Sequence, residues 1–207
     1  MPENRQVAGT RIDRLGAVAL VGDHVRLEPV RREHLEPLLA AAQDEGIFAW
    51  YRVDLRTREA MQARIEEQLR DFAAGTKGAY AVVLRASGEV VGSTGFLEID
   101  SLNRSTEVGA TWYRRDKWGT KVNPECKLLL MRHAFEDWGA LRVWLKTDNM
   151  NERSKAAILR LGAKPEGVLR WHMMRRDGTM RDSAYFSVIA PEWPRVKAGL
   201  EARLDAP

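Results

Sequence analysis

The sequence predicts a single α/β domain built on a mixed, mostly antiparallel seven-stranded sheet flanked by helices. Its 207 residues are close to the ~100–200 that are typical of one domain. Three adjacent β-forming segments separated by tight turns indicate an antiparallel meander. A strand–helix–strand order after them indicates a parallel crossover. We expect residues 1–20 to form a flexible N-terminal arm and residues 21–207 to form the domain.

The composition is that of a globular protein with a mild excess of positive charge. Lys and Arg number 33 and Asp and Glu 29, a net charge of +4, which favours an anionic ligand but does not indicate sequence-specific nucleic-acid binding. The one cysteine, Cys126, excludes an internal disulfide and a cysteine-rich zinc site. The four histidines lie too far apart for a local metal-binding motif, so we expect no metal.

Nothing in the sequence predicts a membrane protein. No apolar run approaches the ~18 residues of a membrane-spanning helix. The polar start of the chain lacks the apolar core of a secretory signal. We therefore expect a cytoplasmic protein without a membrane partner.

The first part of the chain predicts one strand and two helices. Val25 and Leu27 alternate with polar residues, as in a strand. Helical spacing follows over residues 32–43, where Pro37 is tolerable only in a first turn. A second helix is predicted from Thr57 to Ala74, with Thr57 as its N-cap. Gly75 ends it.

The middle of the chain predicts three antiparallel strands. They cover Tyr80–Arg85, Val90–Ile99 and Thr106–Tyr113. Ser87-Gly88 provides the first turn between them, and Asn103–Ser105 provides the second.

The last part of the chain predicts helices and strands that alternate. Asn123, as a cap, begins a mostly apolar and hence buried helix that Gly139 ends. The remaining predicted elements are a strand over Arg142–Thr147, a helix over Asn151–Leu161 with Gly162 as its C-cap, a hairpin of Val168–Arg175 and Ser183–Ile189 around Asp177-Gly178, and a terminal helix over Pro191–Leu204.

Two polar segments that begin helices form a candidate anion site. Gly119–Asn123 opens the buried helix, and Asn149–Ser154 opens the next one. Small-residue loops and unpaired first-turn amides bind phosphate, and Lys121 adds a positive charge. In a parallel crossover both openings face one crevice at the carboxyl ends of the strands. The simpler alternative is an ordinary turn at each place, with Asn151 acting only as a cap.

Several separated motifs resemble one known family. They are WGTKVNPECKLLLMRHAFEDWGALRVWLKTDNMNERSKAAILRLGAKPEGVLR, followed by DGTMRD, YFSV and EWP. This pattern is similar to the GCN5-related N-acetyltransferases (GNAT), and within them to the branch of the bacterial ribosomal-protein N-terminal (alanine/serine) acetyltransferases. The resemblance covers roughly residues 22–204 and is densest from Trp112 to Trp193. It is specific for the fold and much less so for the acceptor.

The resemblance implies acetyl-coenzyme A as co-substrate and direct acetyl transfer to a primary amine in a ternary complex. The family's phosphate loop has the pattern Gln/Arg-x-x-Gly-x-Gly/Ala, and this chain departs from it at Trp118, Lys121 and Asn123. Either the loop keeps its amides available with an ordinary φ at Lys121, or cofactor binding is weakened. The expected cofactor-binding residues are Trp112, Tyr113, Trp118, Gly119, Thr120, Lys121, Val122, Asn123, Asn151, Arg153 and Ser154.

The resemblance also suggests the catalytic groups. Glu107 is the first candidate for the general base, because members of the family that the chain resembles often have a carboxylate on this strand. Period-2 alternation puts Val108, Ala110 and Trp112 on the face opposite Glu107. Its alternatives are a surface carboxylate or an ion pair with an arginine. Glu98 is the second candidate base. A backbone amide near Trp112 or Tyr113 would stabilise the oxyanion.

Ser154 is the candidate donor to the leaving thiolate, with a solvent-facing helix residue as its alternative.

The sequence does not determine which amine accepts the acetyl group. A protein N-terminal α-amine is the first expectation, and a small-molecule amine or antibiotic is the second. Two other classes compete: a non-catalytic acyl-coenzyme A-binding module, given Lys121 and Asn123, and an RNA- or ribosome-associated protein, given the basic pI of 9.4. The terminal segments are compatible with a homodimer.

Overall fold

The computed structural model describes residues 15–206, which form one mixed sheet with the strand order β1-β2-β3-β4-β5-β6-β8-β7. The strands are β1 (Leu20–Val21), β2 (Val25–Pro29), β3 (Gly78–Leu84), β4 (Val90–Asp100), β5 (Ser105–Tyr113), β6 (Arg142–Asp148), β7 (Lys164–Met174) and β8 (Met180–Ile189). Only β5 and β6 pair in parallel; the other neighbours are antiparallel. The mixed, mostly antiparallel sheet is confirmed, with the two-residue β1 as an eighth strand.

Five α-helices flank the sheet within residues 15–206. They are α1 (Leu35–Ala41), α2 (Arg58–Ala73), α3 (Val122–Arg132), α4 (Glu152–Arg160) and α5 (Trp193–Asp205). A π-helical turn, His133–Trp138, continues α3 until Gly139, whose φ of 77° ends it. The Thr57 hydroxyl accepts the Ala60 N–H at 3.2 Å, which confirms the predicted cap of α2. None of these helices is long and apolar enough to span a membrane.

The helices cover both faces of the sheet, and each face has its own apolar core. Residues of α3, α4 and α5 pack on one face in the larger core, and residues of α1 and α2 pack on the other. Leu15 is 1% exposed in the larger core, and Leu20 is buried there as well. The packed part of the chain therefore includes residues before the predicted boundary at residue 21, whereas residues 1–14 of the predicted arm lie outside the described residues.

The sheet opens between β5 and β6. The two strands pair only from Ser105 to Glu107, opposite Arg142 to Trp144. Beyond Glu107, β5 continues to Tyr113 and β6 continues to Asp148 without pairing with each other. The parallel pairing confirms the predicted crossover, and the separation leaves a gap at the carboxyl ends of both strands.

A bulge in β5 changes which side chains face the gap. Gly109 pairs with Gly95 and Trp112 with Ser93, so Ala110 and Thr111 together lie opposite one residue of β4. Ala110 has a φ of 48°. A bulge of this kind shifts side-chain alternation by one position. Trp112 accordingly packs with Phe48, at 5.4 Å between ring centroids, in the core opposite that of Val108. The prediction that Trp112 and Val108 share a face was wrong.

Candidate active site

A cavity of about 1240 Å³ occupies the gap between β5 and β6. It extends from α2 to the starts of α3 and α4 and to the first residues of β8. Most residues expected to form the site line it: Glu98, Glu107, Trp112, Tyr113, Trp118, Gly119, Thr120, Asn123, Asn151, Arg153 and Ser154. Lys121 and Val122 do not. Val122 is 5% exposed, its side chain belongs to the larger core, and its backbone N–H donates to the Thr120 hydroxyl at 3.4 Å.

The loop before α3 keeps an ordinary backbone at the position where the family pattern has glycine. Lys121 has φ −66° and ψ −12° and is the N-cap of α3, without a side-chain cap. Gly119 carries the positive φ, 76°. The prediction that Asn123 caps this helix was wrong: Asn123 lies inside the first turn, and its Oδ1 accepts the Tyr113 hydroxyl at 3.1 Å. The Thr120 hydroxyl donates to the carbonyl of Lys117 at 2.8 Å and steadies the turn.

Two arginines lie over the indole of Trp118. The Cζ atom of Arg153 is 3.5 Å from the ring centroid and that of Arg115 is 4.6 Å away. The indole is fixed by its own N–H, which donates to the carbonyl of Tyr113 at 3.0 Å. Burial lowers the pKa of Arg153, and the charge of Arg115 lowers it further. Two close guanidinium groups repel each other, so this part of the cavity favours an anion.

The start of α4 is held by the cap that the sequence predicts. The Oδ1 atom of Asn151 accepts the Ser154 N–H at 3.0 Å. Asn151 is buried, whereas Ser154 is partly exposed and lines the cavity. Capping and a place on the cavity wall therefore coexist at this helix start.

Glu107 is a buried carboxylate at the point where β5 and β6 separate. It is 3% exposed and lies 3.0 Å from the Nζ atom of Lys146 on β6. Burial raises the pKa of Glu107, against the opposing effect of the Lys146 charge. Glu107 is therefore not a surface carboxylate, and its ion-pair partner is Lys146 instead of an arginine. Glu98 also contacts Lys146, at 3.3 Å, but its side chain is 61% exposed.

Lys127 is a buried lysine beneath the β5 bulge. It is 5% exposed, and its Nζ atom donates to the Thr111 hydroxyl at 2.6 Å. A longer contact, 3.4 Å, joins it to the Thr94 hydroxyl. Burial lowers the pKa of Lys127 to about 8, and the negative charge of Glu107 acts in the other direction. Lys127 is not among the residues predicted from the sequence, although a lone lysine within the apolar run from Cys126 to Met131 is a detectable signal.

This burial predicts an unusual dependence of stability on pH. In the unfolded chain the Lys127 ammonium loses its proton near pH ~10.4, but in the folded protein it does so near pH 8, so stability rises with pH between these values. We expect Lys127→Met to raise the free energy of unfolding at pH ~7 by up to about 3 kcal/mol, and the gain to shrink toward pH ~10. Urea unfolding at both pH values measures this. The exposed Lys164→Met is the control, and a variant less stable than wild type at pH ~7 contradicts the prediction.

Two further polar groups line the cavity, and neither is among the residues predicted from the sequence. The Tyr51 hydroxyl and the Arg181 Nε atom are buried and have no hydrogen-bond partner within residues 15–206. Tyr51 follows α1 and Arg181 lies on β8, 130 residues away in sequence. Only the folded sheet brings them to the same cavity.

Comparison with known proteins identifies the family. A family model described as "Acetyltransferase (GNAT) domain" matches residues 24–164. The curated protein named "Putative ribosomal N-acetyltransferase YdaF", from Bacillus subtilis (strain 168), is 26% identical over 177 residues, which cover 84% of this chain and 95% of YdaF.

Solved structures share the fold. The crystal structure of a GCN5-related N-acetyltransferase from Brucella melitensis has a TM-score of 0.86 at 29% identity and covers 97% of this chain and 90% of its own. Mycobacterium smegmatis RimJ, solved in complex with CoA-disulfide, has a TM-score of 0.80 at 19% identity and covers 92% of this chain and 97% of its own. The family model, which matches more than half of the sequence, and the eight-stranded split sheet agree: the chain belongs to the GNAT family and is an acetyltransferase.

Proposed function

We propose that the protein transfers the acetyl group of acetyl-coenzyme A to a primary amine, namely the α-amine of a protein N-terminus. One observation carries the proposal. A buried carboxylate, Glu107, lies at the point where two parallel strands separate into a cavity flanked by two helix starts. That arrangement offers a slot for an extended thioester, donors for its phosphates and an acceptor for the proton of the amine.

The start of α3 suits the diphosphate of the co-substrate. The first-turn amides of a helix lack partners within the helix and lie at its positive end. Pro124 has no N–H and the Val122 N–H donates to the Thr120 hydroxyl at 3.4 Å, so Asn123 and the preceding loop from Gly119 supply the donors. Arg153 and Arg115 add positive charge beside them. These residues fit an anionic ligand even though the loop departs from the family's glycine pattern. RimJ, a neighbour in fold, was solved with a coenzyme A derivative.

The chemistry needs a neutral amine and a place for its proton. The amine nitrogen attacks the thioester carbon, a C–N bond forms, and the C–S bond breaks to release coenzyme A as thiolate. In this proposal Glu107 accepts the amine proton, directly or through water, and backbone amides of the bulged end of β5 stabilise the oxyanion. The Ser154 hydroxyl, on the cavity wall, donates to the leaving thiolate.

An α-amine is the acceptor that this base serves best. An α-amine has a pKa near ~7.7–8.0 and a lysine side chain near ~10.4, so at neutral pH an N-terminus needs much less help to become neutral. The relative YdaF is named as a ribosomal N-acetyltransferase, which agrees with a protein acceptor.

Replacing Arg153 tests the phosphate side of the site. We expect Arg153→Met to weaken coenzyme A binding about tenfold, because one charge-assisted contact to phosphate is lost. Isothermal titration calorimetry measures the dissociation constant. Arg170, an exposed arginine outside the cavity, provides the matched control Arg170→Met. Equal affinities of Arg153→Met and wild type would remove Arg153 from the site.

Thiol release tests the whole proposal. The protein is mixed with acetyl-coenzyme A and, separately, with peptides that have free N-termini, lysine peptides blocked at the N-terminus, and small amines. We expect thiol release to be fastest with the free N-termini and mass spectrometry to locate the acetyl group on the α-nitrogen. Tight coenzyme A binding without turnover would instead favour a non-catalytic binding module.

A further inference from the structure

The cavity contains two hydrogen-bond donors that the proposed chemistry does not use. The Nε atom of Arg181 and the hydroxyl of Tyr51 are buried without a partner in the part of the chain that the structure describes. Leaving a buried polar group unpaired costs about 1–3 kcal/mol, and native proteins contain few such groups. Two donors in one cavity therefore indicate a ligand that supplies the missing acceptor.

The carboxylates near Arg181 are already engaged. Asp148 accepts from the guanidinium of Arg175 at 2.7 and 3.1 Å and from the Met150 N–H at 2.9 Å. Glu107 is paired with Lys146. Burial lowers the pKa of Arg181, but an arginine side chain stays charged in proteins. Arg181 is therefore a half-buried cation whose Nε atom is shielded from water and which has no direct ion pair among residues 15–206.

Tyr51 lines the same cavity as Arg181. Its ring packs edge-to-face against Phe48, with centroids 5.5 Å apart, which fixes the direction of the hydroxyl. Burial raises the pKa of Tyr51 well above its usual value, so the hydroxyl keeps its proton and acts as a donor. Tyr51 and Arg181 also border an adjoining cavity of about 360 Å³. The space continues beyond them and can hold the remainder of a larger acceptor.

We propose that Arg181 and Tyr51 form an acceptor subsite that binds a carbonyl or carboxylate oxygen carried next to the reactive amine. Glu107, an acceptor for the amine proton, lines the same cavity as these two donors. An α-amino acid unit presents both functions on neighbouring atoms, whereas a simple alkylamine or a polyamine lacks the oxygen. This inference rests on the proposed acetyl transfer, and it gives a structural reason for an acceptor with an oxygen beside its amine, such as a peptide N-terminus, over a simple alkylamine.

Acceptors with and without the neighbouring oxygen test the subsite, and each variant is compared with wild type on the same acceptor, so that differences in amine pKa between acceptors cancel. The set is an alanyl peptide, free alanine and isopropylamine, used with wild type, Arg181→Met and Tyr51→Phe. We expect Arg181→Met to lower kcat/KM for the alanyl peptide at least about tenfold and Tyr51→Phe to lower it about threefold to tenfold. The rate with isopropylamine and the KM for acetyl-coenzyme A should stay within about twofold of wild type. A larger loss with free alanine than with the peptide would assign the subsite to a carboxylate.

The outcomes separate this inference from the proposed function. An equal loss of kcat/KM with isopropylamine and with the peptide, or no loss with either, would overturn the subsite. Thermal melting and the variant Arg181→Lys, which keeps the charge, distinguish a folding defect from lost recognition. If no amine is acetylated, the proposed function fails. In that case calorimetry tests the subsite separately, by measuring the affinity of the alanyl peptide for the coenzyme A-loaded protein. If the subsite exists, Arg181→Met weakens this affinity about tenfold.

Discussion

Replacing Glu107 by glutamine should lower kcat for acetyl transfer about 100-fold or more, with little change in the KM for acetyl-coenzyme A. The variant keeps the size of the side chain but cannot accept a proton, and positioned general bases contribute about 10²–10⁴-fold to rates. Steady-state thiol release with a peptide acceptor measures the effect. Because burial raises the pKa of Glu107, the wild-type rate should fall as the pH drops through a value above that of an ordinary glutamate.

Glu98→Gln is the matched control for this prediction. Glu98 contacts the same lysine, Lys146, but its side chain is mostly exposed. We expect its kcat to stay within about threefold of wild type, because an exposed ion pair is worth only ~0–1 kcal/mol. A Glu107→Gln protein that keeps wild-type kcat, or a Glu98→Gln protein that loses it, would move the proton acceptor away from Glu107.

Replacing Glu125 by alanine should cause the largest loss of stability, about 3 kcal/mol or more. This carboxylate is 3% exposed and accepts the backbone N–H groups of Asp23, His24 and Val25 at 2.7, 2.8 and 2.6 Å. Alanine leaves three amides without an acceptor and frees the start of β2 from α3. Urea unfolding monitored by tryptophan fluorescence measures the loss.

Two further variants serve as comparisons for Glu125→Ala. Glu125→Gln keeps one acceptor oxygen but turns an NH₂ group toward backbone donors, so we expect an intermediate loss. Glu59→Ala removes an exposed carboxylate from the first turn of α2 and should change stability by no more than about 0.5 kcal/mol. If Glu125→Ala were as stable as Glu59→Ala, the three backbone contacts would contribute nothing to folding.

The elements of this fold could largely be predicted because their signals are local. Thr57 and Asn151 cap helices as predicted. The cap is a hydrogen bond from a backbone N–H to a side-chain oxygen three residues earlier, so it forms without contacts from distant parts of the chain. Gly139 ends the long helix because of its own φ. The parallel crossover followed from the strand–helix–strand order. At the start of α3 the local sequence led to a wrong prediction of the cap. The Asn123 side chain accepts a hydrogen bond from Tyr113 of β5 instead of capping the helix.

The candidate site was predicted only in part, because several of its contacts join residues far apart in sequence. Glu107 could be selected from its strand, but its partner Lys146 is visible only when β5 and β6 lie side by side. The bulge at Ala110 and Thr111 has no strong sequence signal. It moves the Trp112 side chain to the face of the sheet opposite the predicted one. Tyr51 and Arg181 carry no motif, and their exclusion from water arises only when the walls of the cavity close around them.

By itself the sequence determined the class of the fold, its family and the two helix openings, because propensity, capping and turn chemistry act over a few residues. Only the tertiary structure decided which charged side chains are buried, which donors lack hydrogen-bond partners and that Lys146 lies beside Glu107. Burial and ion pairing depend on the three-dimensional neighbours of a group. Glu125 illustrates the division: its position in a first helical turn is a local preference, but its bonds to residues 23–25 exist only because the sheet folds against α3.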